Sequence, residues 1–421
     1  MTAQAAATHK TSVFTPILFA GCIILMTGFA IRASFGVFQI PIAEEFGWLR
    51  YEFSLAIAIQ NLAWGIGQPI FGALAEKFGD MKAIILGAII YALGLVLSAY
   101  STTPLGHQLY EIFVGFGIAG TGFGVILAVV GRSASAENRS LALGIATAAG
   151  SAGQVIGPPI ANALLQHMNW SNVFLVFAVA IIAVLVVLPM LRTENTATKV
   201  ELEESLGEVL VKALRDPSYA MIFLGFFSCG FQLAFITAHF PAYVTEVCLG
   251  IPTDSILRDI GIDSTSALGA FSLAVIGVAN IVGAIVAGAL GKKYSKKYLL
   301  VTIYVLRTIV GALFIIFPMT PWSVMIFSVA MGALWLATVP LTSGLVAYIY
   351  GLKYMGTLYG LVFLSHQLGS FMGVYLGGVF YDAYGTYDLV WWIGVGVGAF
   401  SAIIHLPVKE RPLTMSAAAA E

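Results

Sequence analysis

Residues 144–158 read GIATAAGSAGQVIGP, and residues 360–373 read GLVFLSHQLGSFMG. Gly144, Gly153 and Gly157, with Pro158 behind them, recur at Gly360, Gly369 and Gly373 after an offset of 216. The same offset carries Gly72-Ala73-Leu74 and Lys77 onto Gly288-Ala289-Leu290 and Lys293. Two different motifs displaced by one number indicate a duplicated chain. Both glycine runs lie in strongly apolar helical stretches, where small residues let neighbouring helices approach closely.

Composition sets the solvent. Of 421 residues, 59% are hydrophobic and 10% charged, and the mean hydropathy is +0.93. A soluble domain carries about 25% charged residues, so this is a membrane composition. Twelve apolar runs have the length of about 20 residues that a helix needs to cross a ~30 Å hydrocarbon core. They fall near 15–41, 53–75, 82–101, 107–131, 139–166, 170–191, 217–246, 265–290, 298–317, 322–349, 354–382 and 387–408. Lipid leaves no partner for irregular backbone, so helices are expected throughout. The expected fold is an all-α membrane protein of 12 transmembrane helices in two six-helix, pseudo-symmetric halves. The halves are residues 1–191 and 217–421, joined by a cytoplasmic linker at 192–216. A duplicated membrane bundle of this kind is the architecture of a secondary transporter.

Basic residues orient the chain. Sixteen of the twenty fall in segments on one side: Lys10, Lys77, Lys82, Arg132, Arg139, Arg192, Lys199, Lys212, Arg215, Lys292, Lys293, Lys296, Lys297, Lys353, Lys409 and Arg411. The positive-inside rule then places both termini in the cytoplasm of a cell inner membrane protein. His9 and Lys10 precede the first apolar run without a small-residue cleavage site, which reads as a tail rather than a signal peptide. In the linker, Leu202, Leu206, Val209, Leu210 and Ala213 share a helical face beside Glu203, Glu204 and Glu208, either as an amphipathic helix on the membrane or as a plain tether. The outer loop near 247–264, with Asp254, Asp259 and Asp263, is expected to be a solvated lid or a simple connection. Cys22, Cys229 and Cys248 read as small core residues.

These residues resemble the major facilitator superfamily over nearly the whole chain. GALAEKFGDMK (72–82) is similar to its loop between helices 2 and 3, with Gly72 and Gly79 kept and Glu76 and Lys77 standing for the acid–base pair. Gly144, Gly153, Gly157 and Pro158 match the helix-5 signature, and ENRSLALG (137–144) resembles the loop leading into it. Where the fourth helix of the family usually carries an Arg, this chain has Glu111 before Gly115 and Gly117. ASFGVFQIPIAEEFGW (33–48) and LGGVFYDAYGTYDLVWW (376–392) look like the monocarboxylate transporter and oxalate/formate antiporter branch. That branch commonly has Asp and Arg in helix 8, where this chain has Asn280 and Ala284. The resemblance implies a conformational role for the glycine motifs, Gly369 and Gly373 included, and a cavity lined by helix 1.

Charges inside a membrane are functional-site hypotheses by default. Arg32 lies twelve residues before Glu44, ~18 Å below the outer charged rim at about 1.5 Å per residue. Its planar fork suits a carboxylate, and the alternative is a structural partner for helix ends or for Glu111. Arg307 lies near the midplane in helix 9, aimed between helices at a substrate or paired with backbone carbonyls. His366 sits on the glycine-bearing face of helix 11, where the first repeat has Gly150. A histidine can gain and lose a proton near neutral pH, which makes this position a candidate for substrate or proton against a packing histidine. Gln60, Asn61, Asn280 and Gln367 complete the candidate substrate site, with Gln68, Gln154 and Gln232 further polar groups that serve equally as interhelical glue. Trp64, Tyr91, Trp335 and Tyr375 are candidates to close over an apolar moiety. Glu111 is the second proton-coupling candidate. His107 and His167 read as outer-loop residues, and His239 as lying near the outer end of helix 7.

No enzyme motif occurs: no His-Glu-x-x-His, no Cys-x-x-Cys, no phosphate loop and no Gly-x-Ser-x-Gly. The reading is a secondary transporter of a small organic anion, a monocarboxylate or similar carboxylate, by symport, exchange or facilitated diffusion. The alternatives are efflux of a hydrophobic compound and a sensor without flux. Expected partners are the anion, the bilayer and, in one version, protons. The net charge of −1 argues against nucleic acid, and a monomer without cofactor or metal is expected.

Overall fold

The computed structural model describes residues 12–48, 50–191 and 205–413. Its spanning helices are α1 Pro16–Ser34, α2 Arg50–Phe78, α3 Asp80–Ala99, α4 Pro104–Ser133, α5 Arg139–Leu165 and α6 Trp170–Leu191 in the first half. The second half has α7 Pro217–Val247, α8 Thr265–Leu290, α9 Lys296–Ile316, α10 Pro321–Tyr350, α11 Met355–Tyr384 and α12 Asp388–His405. Ten of the twelve are long and apolar enough to be recognised as spans by composition alone. The other two, α2 and α11, carry Gln60, Asn61 and Gln68, and His366 and Gln367, in their middles. Their low hydropathy reflects position, because each packs against the other across the junction of the halves.

Local chemistry sets the starts. Thr15-Pro16, Thr103-Pro104, Asp216-Pro217 and Thr320-Pro321 repeat one device. The cap side chain accepts a backbone N–H of the first turn, and proline fills the first helical position, where a missing N–H costs nothing. Gly47 and Gly385 end helices with φ of 67° and 71°, a left-handed backbone that glycine adopts without strain.

The repeated glycines are contact points between backbones. A Cβ on Gly153 or Gly157 would lie 2.1 Å from Met26 O or Ala30 O, so α5 touches α1 there. In the second half, a Cβ on Gly369 or Gly373 would lie 2.1 Å from Phe227 O or 2.3 Å from Phe231 O, pressing α11 on α7. The remaining members of the motifs join the halves. Gly144 meets Gly288 between α5 and α8, and Gly72 meets Gly356 between α2 and α11.

These contacts close one end of the molecule, the end bearing the basic loops, here called the basic face. There Glu76 accepts from Thr357 N at 2.9 Å and from the Thr357 hydroxyl, and Lys292 donates to Asn138 Oδ1 at 2.7 Å. All three bonds cross between halves. The expectation that Glu76 and Lys77 form the loop's acid–base pair is corrected: Asp80 pairs with Arg132 at 2.5 Å, and Glu76 reaches the other half instead.

Two spans are broken where continuous helices were expected. Within α4, Gly122 is extended (φ −96°, ψ −164°) between Pro104–Thr121 and Phe123–Ser133. Within α10, Trp335–Ala337 interrupts Pro321–Leu334 and Thr338–Tyr350. The first span also runs further than expected, through a 3-10 turn at Phe35–Phe38 into a short helix at Gln39–Phe46.

The linker helix covers Leu206–Arg215 and opens with a reciprocal Ser205–Glu208 capping box, whose bonds hold the Glu208 carboxyl below its usual range. Val209 and Ala213 are buried, while Val211 and Leu214 are exposed. Lys10, Arg192, Lys199, Leu202, Glu203 and Glu204 lie outside the described residues. The loop near 247–264 is more than a solvated connection. It buries Ile251, Leu257 and Ile262, and Arg258 donates to the carbonyls of Ile251 and Pro252.

Candidate functional site

Helices α1, α2 and α11 bring four of the expected residues into one chain of hydrogen bonds across the junction of the halves. Arg32 Nη2 donates to Asn61 Oδ1 at 2.7 Å. The Asn61 carbonyl accepts from Gln367 Nε2 at 3.0 Å, and Gln367 Oε1 lies 3.1 Å from His366 Nδ1. Asn61 and Gln367 thus bridge a cation of the first half to a titratable ring of the second.

An aromatic wall runs beside this chain. The Arg32 guanidinium lies 4.9 Å from the centre of the Trp64 ring, a cation–π contact. Trp64 meets Phe363 at 4.8 Å, and Phe363 stacks on His366 at 5.1 Å and 10°. Trp64 Nε1 is fixed by Gln68 Oε1 at 2.9 Å, and Gln68 Nε2 donates to Ala119 O in turn. Tyr91 donates its hydroxyl to Gly28 O beneath α1. Sequence reasoning singled out Trp64 and missed Phe363. The signal was its position three residues before His366, within one helical turn.

Two polar atoms here lack partners in the protein although buried: Arg32 Nε and His366 Nε2. Among the described residues, no carboxylate lies within ion-pair distance of Arg32. A half-buried guanidinium with one neutral partner and an aromatic face retains donors for an anion. The pairing of Arg32 with Glu111 that sequence left open does not occur.

Other expected site residues point elsewhere. Gln60, next to Asn61 but rotated about 100° around α2, faces the interior of the first half. There its Nε2 donates to Glu111 Oε2 at 2.6 Å, and Ser98 Oγ donates to Glu111 Oε1 at 3.1 Å. His107 completes this cluster, with Nε2 at 3.7 Å from Glu111 Oε1 and its ring stacked on Phe53. The outer-loop expectation for His107 is therefore corrected: only 1% of it is exposed. Asn280 also leaves the candidate cavity. Its Nδ2 donates to Ser151 Oγ at 2.8 Å, and its Oδ1 accepts Leu336 N at 2.9 Å inside the break of α10.

Arg307 serves the same break. Its Nη2 donates to Trp335 O at 3.1 Å, the backbone-carbonyl alternative, and it lies among α7, α9, α10 and α12 rather than beside Arg32. Cys229 lies between the two regions, 3.2 Å from Thr338 Oγ1 and beside both His366 and Arg307. Gln232 donates to Gly394 O, His239 bridges to Val374 O, and Tyr375 is exposed on the surface of α11. Among the described residues, no group of three or more His, Cys, Asp and Glu is arranged to hold a metal ion.

Twelve spans in two glycine-stapled halves, closed at one end over a polar junction, define a multi-pass membrane transporter. A model of the Major Facilitator Superfamily matches residues 19–276 and 247–421, and the chain belongs to that family of secondary transporters. It is 24% identical over 393 residues to the uncharacterized MFS-type transporter YcxA of Bacillus subtilis, covering 89% of this chain and 90% of that protein. To Monocarboxylate transporter 13 of Bos taurus it is also 24% identical, over 375 residues, 85% of this chain and 80% of the other. Among solved structures, the proton:xylose symporter XylE superposes with a TM-score of 0.73 at 14% identity, covering 96% of this chain and 98% of the other. FucP in its outward conformation gives 0.67 at 16% identity, covering 92% and 97%.

Proposed function

We propose that the protein moves a small organic anion, a monocarboxylate or similar carboxylate, across the cell inner membrane by alternating access, without covalent chemistry. The observation that carries this reading is Arg32: a cation at the junction of the halves, with an unpartnered Nε and, among the described residues, no carboxylate within ion-pair distance. The substrate carboxylate takes the guanidinium's free edge, and its apolar part lies along Trp64 and Phe363. His366 and Gln367 contact it from residues 217–421, and Arg32 and Asn61 from residues 1–191, so rocking of the halves reshapes both sides of one site. The similarity to Monocarboxylate transporter 13 supports the substrate class. A cation at the centre disfavours cationic substrates by like-charge repulsion.

The basic face is cytoplasmic in this reading, so the contacts between the halves at Glu76–Thr357 and Lys292–Asn138 shut the cytoplasmic side. His366 is the first proton-coupling candidate because its Nε2 has no protein partner and lies at the junction. Glu111 is the second, held in the first half by Gln60 and Ser98. The solved structures it resembles include a fucose:proton symporter, FucP, and a proton:xylose symporter, XylE, which is in keeping with coupling to protons.

The test is counterflow in proteoliposomes loaded with unlabelled mono- and dicarboxylates, with labelled carboxylate outside. Saturable uptake by the parent and its loss in Arg32→Gln supports the reading. No carboxylate counterflow, or counterflow unchanged by Arg32→Gln, refutes it.

A further inference from the structure

On the basic face, the connection from α8 to α9 and the chain just beyond α12 enclose an open pocket of about 600 Å³, apart from the proposed transport site. Its lining carries five lysines, Lys292, Lys293, Lys296, Lys297 and Lys409, against one acid, Glu410. That acid is already engaged. It caps the start of α9, accepting from the Ser295 hydroxyl, from Lys296 N at 2.9 Å and from Lys297 N at 3.2 Å. The helix N-terminus therefore offers nothing to a ligand, and the lysines decide what the pocket takes.

Two of the lysines serve the fold. Lys297 donates to the carbonyls of Leu406 and Val408, both at 3.0 Å, which ties α9 to the end of α12. Lys292 reaches the other half, where it donates to Asn138. The other three are uncommitted. Lys296 lies over the Tyr348 ring at 5.6 Å, and Lys293 and Lys409 are exposed. Among the described residues, none of these three ammonium groups has a hydrogen-bond or ion-pair partner. An ammonium only donates, so three of them on one pocket suit a phosphate.

The surroundings favour a lipid phosphate over a soluble one. Tyr294, Tyr298 and Tyr348 are exposed around the pocket, amphipathic rings of the kind that sit at headgroup level. From Tyr298 an exposed stripe at helical spacing follows α9 through Thr302, Val305 and Ile309. Helix α12, packed on α9, exposes Phe400 and Ile403. A headgroup in the pocket thus has an apolar surface leading away from it for its acyl chains, of which a free phosphate makes no use.

We propose that this pocket between the ends of α9, α10 and α12 binds the phosphate headgroup of an anionic phospholipid from the leaflet at the basic face. Lys293, Lys296 and Lys409 hold the phosphate, and the acyl chains follow α9 and α12. The basic residues of this face then do more than orient the chain, because one group of them forms a lipid site.

The experiment follows thermal unfolding of the purified full-length protein in uncharged detergent as phosphatidylglycerol, phosphatidylcholine or inorganic phosphate is added. The expected result is a saturable rise of the midpoint with phosphatidylglycerol alone. Combining Lys293→Gln with Lys409→Gln, both at exposed positions, is expected to leave the fold intact. It weakens the apparent affinity for phosphatidylglycerol by about tenfold or more, the worth of two lysines near an anionic lipid surface. Lys77→Gln with Lys82→Gln removes the same charge from another part of the basic face and keeps the parent's response. Equal midpoints in phosphatidylglycerol and phosphatidylcholine overturn the proposal. Equal weakening by the two double variants overturns it in favour of a diffuse attraction, and an equal rise with inorganic phosphate in favour of a soluble anion. Because no readout involves carboxylate flux, failure here leaves the transport reading standing, and failure of that reading leaves this one.

Discussion

Arg32, Asn61, Gln367 and His366 were legible as candidates because charged, amide and imidazole groups stand out in apolar helices, where each needs a reason to be there. Their connection was not legible, since it depends on α2 and α11 meeting at Asn61 and Gln367. Gln60 shows the limit from the other side: one residue along α2 turns the side chain from the junction to Glu111. Arg32→Lys keeps the charge but loses the planar fork, so carboxylate uptake is expected to fall about tenfold or more. His366→Asn retains a polar group near Gln367 but no longer titrates. Counterflow is expected to persist in this variant, while accumulation driven by a pH gradient disappears. Undiminished gradient-driven accumulation in His366→Asn would move proton coupling to Glu111.

At the scale of helices, the repeated glycine motif foretold close packing, and its spacing also divides the labour. Gly153 and Gly157 press α5 on α1, whereas Gly144 meets Gly288 in the other half. Gly157→Val places side-chain atoms into the Ala30 carbonyl, where even a Cβ would be 2.1 Å away, so loss of folded protein in the membrane is expected on size-exclusion chromatography. Gly378→Ala, with nothing within 4 Å of the added Cβ, is expected to behave as the parent. The break at Gly122 was not legible, because no proline marks it; the break at Trp335–Ala337 has Pro340 one turn behind it, but the side chains that hold it, Asn280 and Arg307, are distant in sequence. Asn280→Leu strands the Leu336 N–H in the interior and is expected to destabilise the protein by about 1–3 kcal/mol, read as a lower unfolding midpoint.

For the whole molecule, duplication and basic-residue placement were enough to anticipate twelve helices in two halves, since lipid allows so few alternatives. The arrangement of the halves was not readable, because a shut face depends on contacts such as Glu76 with Thr357 and Lys292 with Asn138. Glu76→Ala removes the first of these, so the population is expected to shift toward states open at the basic face. A cysteine introduced at Leu361, half-buried on α11 one helical turn and more inside Thr357, then labels faster with a membrane-impermeant maleimide from that side. Unchanged labelling would show that the glycine contacts alone hold the face shut.

The central claim is that Arg32 anchors a carboxylate at the junction of the halves, and equilibrium binding tests it without the complication of coupling. Labelled carboxylate that supports counterflow would be titrated onto purified parent, Arg32→Gln and Gly378→Ala, with folding of each checked by its unfolding midpoint. The account predicts saturable binding by the parent and Gly378→Ala, and an affinity for Arg32→Gln weaker by about tenfold or more, the loss of a charge-assisted hydrogen bond. Equal affinity in a folded Arg32→Gln would contradict it.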